Sequence, residues 1–171
     1  MKGMARQVLF VILAAVGIFF LLQTTIQSVV VLGSSMEPSF EEGQRLIVNK
    51  VVYRLRDPKL GEVIIFRPPT SNDVDFIKRI VAGPGDTVEI KDGTVYVNDL
   101  PLNEPYIKAH PRYTLSPTTV PENEYFVLGD NRNNSNDSHS WGMLPRQNIV
   151  GLAWVSIWPP GLIPRYELQS D

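Results

Sequence analysis

The sequence predicts a mainly β protein: an antiparallel β-sheet body with a small inserted hairpin lobe, preceded by one N-terminal transmembrane helix. Three observations carry this. A long apolar run lies near the start, and seven short β-branched runs follow, bounded by glycine and proline. No later segment repeats its apolar residues every 3.6 positions. Fourteen prolines and twelve glycines suit many short strands joined by turns.

The apolar run is unbroken over residues 8–22, with Gly17 inside it; Gln23, Thr24 and Thr25 interrupt, and residues 26–32 resume. As a helix, residues 4–28 are long enough to cross ~30 Å of hydrocarbon. Lys2 and Arg6 precede the run, while Glu37, Glu41 and Glu42 follow it. The positive-inside rule then puts the N-terminus in the cytoplasm and the rest on the trans side, whether periplasmic, lumenal or extracytoplasmic. A cleaved secretory signal also has a charged start and an apolar core, but residues 24–28 offer no small-x-small site, so an uncleaved anchor is expected.

The strand candidates are residues 45–50, 62–66, 76–81, 87–91, 94–97, 124–128 and 149–158. Asp92-Gly93 between two of them is a hairpin signal, because both residues suit the positive φ of a type I′ turn. Residues 100–122 carry five prolines and read as loop. The expected organisation is a cytoplasmic stub and anchor over 1–30, a body over 31–86 and 123–171, and an inserted lobe over 87–122.

Of 171 residues, roughly 140 lie beyond the anchor, enough for one domain with a core. A net charge of −2 with scattered cations gives no footprint for nucleic acid. The absence of cysteine excludes disulfides, thiol catalysis and thiolate metal sites. Two distant histidines, His110 and His139, make no metal cluster, so no cofactor or metal is expected.

Two residues carry candidate chemistry. Ser35 sits just past the apolar run, after Gly33, in a stretch where a tight turn could aim backbone N–H groups at a carbonyl oxygen. A hydroxyl needs a base before it attacks, and most loop serines have none. Lys78 lies in an apolar strand, on one face with Phe76 and Ile80. An ordinary lysine is neutral in only about one molecule in a few thousand at pH 7. Burial can lower its pKa enough to make it a base, although a snorkelling edge-strand lysine has the same sequence. His139, with Asp137, Ser138 and Ser140 around it, gives a weaker Ser-His-Asp pattern. Asp130 and Asp137 read as loop caps rather than as an acid pair.

Four blocks in order resemble type I signal peptidase: Ser35-Met36-Glu37-Pro38-Ser39; Gly61-Glu62-Val63-Ile64-Ile65-Phe66; Phe76-Ile77-Lys78-Arg79-Ile80-Val81-Ala82-Gly83-Pro84-Gly85-Asp86; and Gly129-Asp130-Asn131-Arg132-Asn133-Asn134-Ser135-Asn136-Asp137-Ser138. The resemblance implies a membrane-bound serine endopeptidase that removes signal peptides from secreted preproteins with a Ser-Lys dyad. It makes Ser35 the nucleophile and Lys78 the general base. Ser135 would orient the amine, and Asp137 and Arg79 would support the site. The Ser35 backbone N–H would bind the oxyanion. Val31, Met36, Phe40, Phe76 and Ile77 match the walls of pockets that select small-x-small sequences such as Ala-x-Ala. Implied partners are preprotein signal peptides, the lipid bilayer and the secretion translocon.

Two positions depart from the family pattern. Gly33 stands where some relatives carry a serine that adds an oxyanion donor. His139 replaces an arginine, so its pairing with Asp137 is expected to depend on pH. Residues 154–163, with Trp154 and Trp158, read either as a bilayer-interface contact or as a core strand with a packed tail. Two other functions fit parts of the sequence. A self-cleaving Ser-Lys protein would carry a DNA-binding domain where the anchor stands. A catalytically inactive membrane-tethered β-module would not need Ser35, Lys78 and Ser135 together.

Overall fold

The computed structural model describes residues 2–70, 74–164 and 166. Helix α1 spans Lys2–Thr25, and its described side chains are exposed over residues 3–24. Its Arg6–Thr25 portion has a mean hydropathy of 2.4 and is long and apolar enough to cross a membrane. The helix stops three residues before the expected Ser28. Ile26–Val30 forms strand β1 instead, paired antiparallel with β2, Arg45–Asn49, from Ile26↔Asn49 to Val30↔Arg45. Hydropathy could not separate the two elements, because β1 is nearly as apolar as the helix. What divides them is the β-branched cluster after Gln23 together with a partner strand that takes up the backbone hydrogen bonds. Residues 26–30, expected in the anchor, therefore belong to the sheet.

The remaining elements are α2 Val52–Leu55, β3 Val63–Phe66, β4 Phe76–Ala82, β5 Thr87–Lys91, β6 Thr94–Val97, β7 Leu100–Pro101, β8 Leu115–Thr119, β9 Glu124–Leu128, α3 Ser138–Trp141, β10 Leu144–Pro145, β11 Ile149–Trp158 and β12 Gly161–Leu162. The larger sheet runs β1-β2-β11-β3-β4-β9-β10, with β12 on β11; the smaller runs β7-β6-β5-β8. All recorded strand pairs are antiparallel.

Both faces of the larger sheet are covered at its centre. Val63 and Ile65 pack with Leu46, Val48 and Ile77, whereas Ile64 and Phe66 pack with Ile80, Val127 and Leu144. This explains why β3 is a continuous apolar run and does not alternate. The smaller sheet contributes Val88, Ile90, Val95 and Val97 to a third cluster, which it shares with Val81, Ala82, Phe126 and Leu128 of β4 and β9.

The Asp92-Gly93 turn has φ of 50° and 76°, and Lys91 pairs with Thr94, as a two-residue hairpin of this type requires. Strand β8 lies within the segment read as loop. It is an edge strand, and its register shifts between Thr118↔Val88 and Leu115↔Ile90. Pro117 sits in that irregular stretch, where no ladder N–H is needed, so its sequence signal for a loop was misleading.

Phe126 joins β9 to the smaller sheet's core and is 1% exposed. Phe126→Ala should destabilise the protein by about 3–5 kcal/mol, seen as a lower urea midpoint with an unchanged slope.

Candidate active site

The site forms where the turn after β1 meets strand β4 and the segment after β9. Lys78 Nζ lies 2.8 Å from Ser35 Oγ and 2.8 Å from the Ile77 carbonyl oxygen. The Phe76 ring centroid is 5.4 Å from the same nitrogen. Lys78 is only 3% exposed, and no carboxylate forms a salt bridge with it among the described residues. Burial therefore pushes its pKa down to about 8, against the opposing fields of Asp137 and Asp130. Consecutive residues on a strand project to opposite sides, and the next cation, Arg79, meets a different setting. Its guanidinium, fully buried, donates to Asp130 Oδ1 at 2.9 Å and Oδ2 at 2.6 Å, and to the Gly61 carbonyl at 2.8 Å. The Tyr106 ring lies 4.2 Å away.

Asp137 caps α3 by accepting from the His139 N–H at 3.2 Å, and its other oxygen accepts from the Gly129 N–H at 2.9 Å. His139 Nδ1 lies 2.6 Å from Asp137 Oδ1, and its ring stacks on Tyr113 at 4.0 Å. Asp137 thus ties α3 to the segment that packs behind Ser35. Ser135 Oγ is buried without a hydrogen-bond partner. The bond to the lysine amine that the resemblance implies is not formed in this structure. Gly129 permits the close approach here: a Cβ would clash with Ser135 Oγ and lie 2.5 Å from the Ser35 carbonyl oxygen.

A groove of about 270 Å³ opens over Ser35 and Lys78. Of the residues expected as pocket walls, Val31, Phe76 and Ile77 line it. Met36 and Phe40 do not; at 0% and 1% exposure they sit in the core, packed with Leu46 and Val48. Sequence reasoning missed the β1 edge, Val29 and Val30, as well as Leu32, Ile65, Val74, Asp75 and Asn136. The β1 wall was hidden because its residues read as the end of the membrane run. No group of three or more His, Asp or Glu side chains suited to a metal ion occurs among the described residues.

Comparison with known proteins gives one consistent result. The family described as "Signal peptidase, peptidase S26" matches residues 4–158. The chain is 50% identical over 143 residues to a probable signal peptidase I-2 of Synechocystis sp., a match covering 81% of this chain and 64% of that protein. It is 43% identical to thylakoidal processing peptidase 1, chloroplastic, of Arabidopsis thaliana, covering 76% of this chain and 41% of that one. Signal peptidase IB of Staphylococcus aureus is 35% identical, over 89% of this chain and 85% of its own.

The depressed amine has a thermodynamic signature. Its folded pKa of about 8 lies below the unfolded 10.5, so protonation is penalised only in the fold. Stability should fall as pH drops from about 10.5 to about 8 and level off below. Lys78→Met should therefore raise stability at pH 7, by at most about 3 kcal/mol, and the gain should vanish above pH 10.5 in urea melts.

Proposed function

The chain belongs to the signal peptidase family, peptidase S26, and on that premise we propose that it is a membrane-anchored serine endopeptidase that removes N-terminal signal peptides from preproteins after small-x-small sequences. The observation that carries this reading is the 2.8 Å contact between a buried, depressed lysine amine and a serine hydroxyl at the floor of an apolar groove. With a pKa of about 8, about one Lys78 in ten is neutral at pH 7 before substrate binds. A peptide filling the groove displaces water and lowers the pKa further. Neutral Nζ then takes the Ser35 proton as Oγ attacks the scissile carbonyl. The same proton passes to the leaving amine, and water attacking through Lys78 frees the acyl group.

The substrate is read as an extended strand against the exposed wall of β1 and the start of β4, where backbone pairing gives affinity and the apolar lining favours small side chains. Asp130 supports the site by neutralising Arg79, and Asp137 by holding Gly129. Ser135, whose hydroxyl is buried beside Gly129, is a partner for the amine once the site closes on substrate. Helix α1 would be the anchor, with Lys2 and Arg6 on the cytoplasmic side and the groove on the trans side, within reach of the secretion translocon. Trp154, Ile157, Trp158 and Leu162 are exposed at 47%, 45%, 69% and 83%, and would rest on the bilayer interface.

Preprotein cleavage in lipid tests the dyad. Ser35→Ala and Lys78→Ala should each abolish it, and the parent's kcat/KM should rise with pH, reach half its maximum at about 8 and level off above that. Retained cleavage in either variant refutes the assignment. Trp158 emission should shift to the blue on adding vesicles; an unchanged spectrum removes the interface contact.

A further inference from the structure

One residue from across the fold grips the nucleophile turn at two consecutive points. Asn131 Nδ2 donates to the Ser34 carbonyl at 3.0 Å, and the Asn131 backbone N–H donates to the Ser35 carbonyl at 3.0 Å. These carbonyls belong to the two peptide planes that flank the Ser35 Cα. Holding both planes fixes φ and ψ of Ser35, and with them the direction of its Cβ. Asn131 is only 8% exposed, and its own carbonyl accepts from the Asn134 N–H at 2.9 Å, which anchors the gripping residue in its turn.

The geometry has a second effect. The Ser34–Ser35 peptide is trans, so its C=O and N–H point to opposite sides. Drawing the Ser34 carbonyl toward Asn131 turns the Ser35 N–H the other way. That N–H has no acceptor among the described residues, and Ser35 lines the groove. Gly33 has no side chain that could add a second donor, and Ser34 Oγ accepts from Asn134 Nδ2 at 2.8 Å, which holds that hydroxyl toward the segment after β9.

We propose that Asn131 is a positioning residue that aims the Ser35 N–H into the groove as the donor for the oxyanion. The proposal rests on the Ser35–Lys78 reading above. In the attack step Ser35 Oγ bonds to the carbonyl carbon, its proton passes to Lys78 Nζ, and the carbonyl π pair moves onto the oxygen. That oxygen gains charge only in the transition state, so a correctly turned N–H raises kcat and leaves ground-state binding alone.

The test compares a short ester ending in Ala-x-Ala with its thionoester, in which sulfur replaces the carbonyl oxygen and accepts hydrogen bonds poorly. Asn131→Ala removes the side-chain bond and keeps the backbone one. The Ser34 carbonyl still accepts from the Glu37 N–H at 3.2 Å, so no buried acceptor is orphaned. Losing an oxyanion donor outright costs about 10²–10³ in kcat, so misaiming it should cost about tenfold or more on the ester. KM should stay within about twofold, and the oxo-to-thiono rate ratio should shrink by the same factor as kcat. Asn131→Asp, close in shape but without a donor at neutral pH, should behave alike and serves if the alanine variant does not fold. Equal losses on both substrates, or a raised KM with kcat intact, would overturn the proposal while the dyad reading stands. Parental cleavage by Ser35→Ala would sink the dyad reading itself, and this inference with it.

Discussion

The removal of one amine from water governs the site. Lysine is charged at neutral pH unless its surroundings make charge expensive, and Lys78 is placed where they do. The desolvation cost outweighs the attraction of Asp137 and Asp130, which both act to restore the charge. Had either carboxylate reached Nζ directly, the balance would reverse and the amine would be held as a cation. The fold prevents this by giving each carboxylate another partner. Asp130 is taken by Arg79, and Asp137 by the Gly129 N–H, the α3 terminus and His139.

Lys78 and Arg79 show how one strand can bury two basic residues for opposite ends. Arginine stays charged in any protein setting, so its burial requires a carboxylate; here the match is bidentate, with a carbonyl and an aromatic ring completing the shell. Lysine can discard its charge, so its burial requires only acceptors and apolar neighbours: Ile77 O, Ser35 Oγ and Phe76. Exchanging the two residues would leave an unpaired guanidinium beside Ser35 and a lysine facing a carboxylate, with no base in the site.

The sheet was legible where strands are bounded by turn residues with a clear mechanism. The strand limits from residue 45 to 97 follow from Gly43, Gly61 and Asp92-Gly93, and the ten-residue β11 was evident from its length. The two-residue strands β7, β10 and β12 are too short to leave a pattern, and two longer strands had opposite disguises: β1 looked like helix because it continues an apolar run, and β8 looked like loop because of Pro117. The pocket walls suffered from the same ambiguity. Apolar residues beside Ser35 look alike in sequence whether they reach the groove, as Val31 does from the edge of the core, or lie wholly within that core, as Met36 and Phe40 do. Asn131 gave no signal of its own, since its role is a pair of contacts made 96 and 97 residues away along the chain.

The proposed membrane contacts constrain each other. Helix α1 runs into β1 without a linker, so its end lies at the Ile26↔Asn49 end of that strand pair. Trp158 pairs with Arg45, which also pairs with Val30, so the tryptophan lies at the other end of β1. The two points are separated by five residues of strand, about 16 Å. A strand standing upright on the bilayer would put Trp158 that far above the headgroups. Contact at both points requires β1 to lie along the surface. Its groove-facing wall would then stay at headgroup level, where an apolar peptide leaving the hydrocarbon loses the helical hydrogen bonds that the bilayer interior enforces. Only there can its backbone exchange helix bonds for pairing with a strand, so this orientation would bring the substrate to the groove already extended.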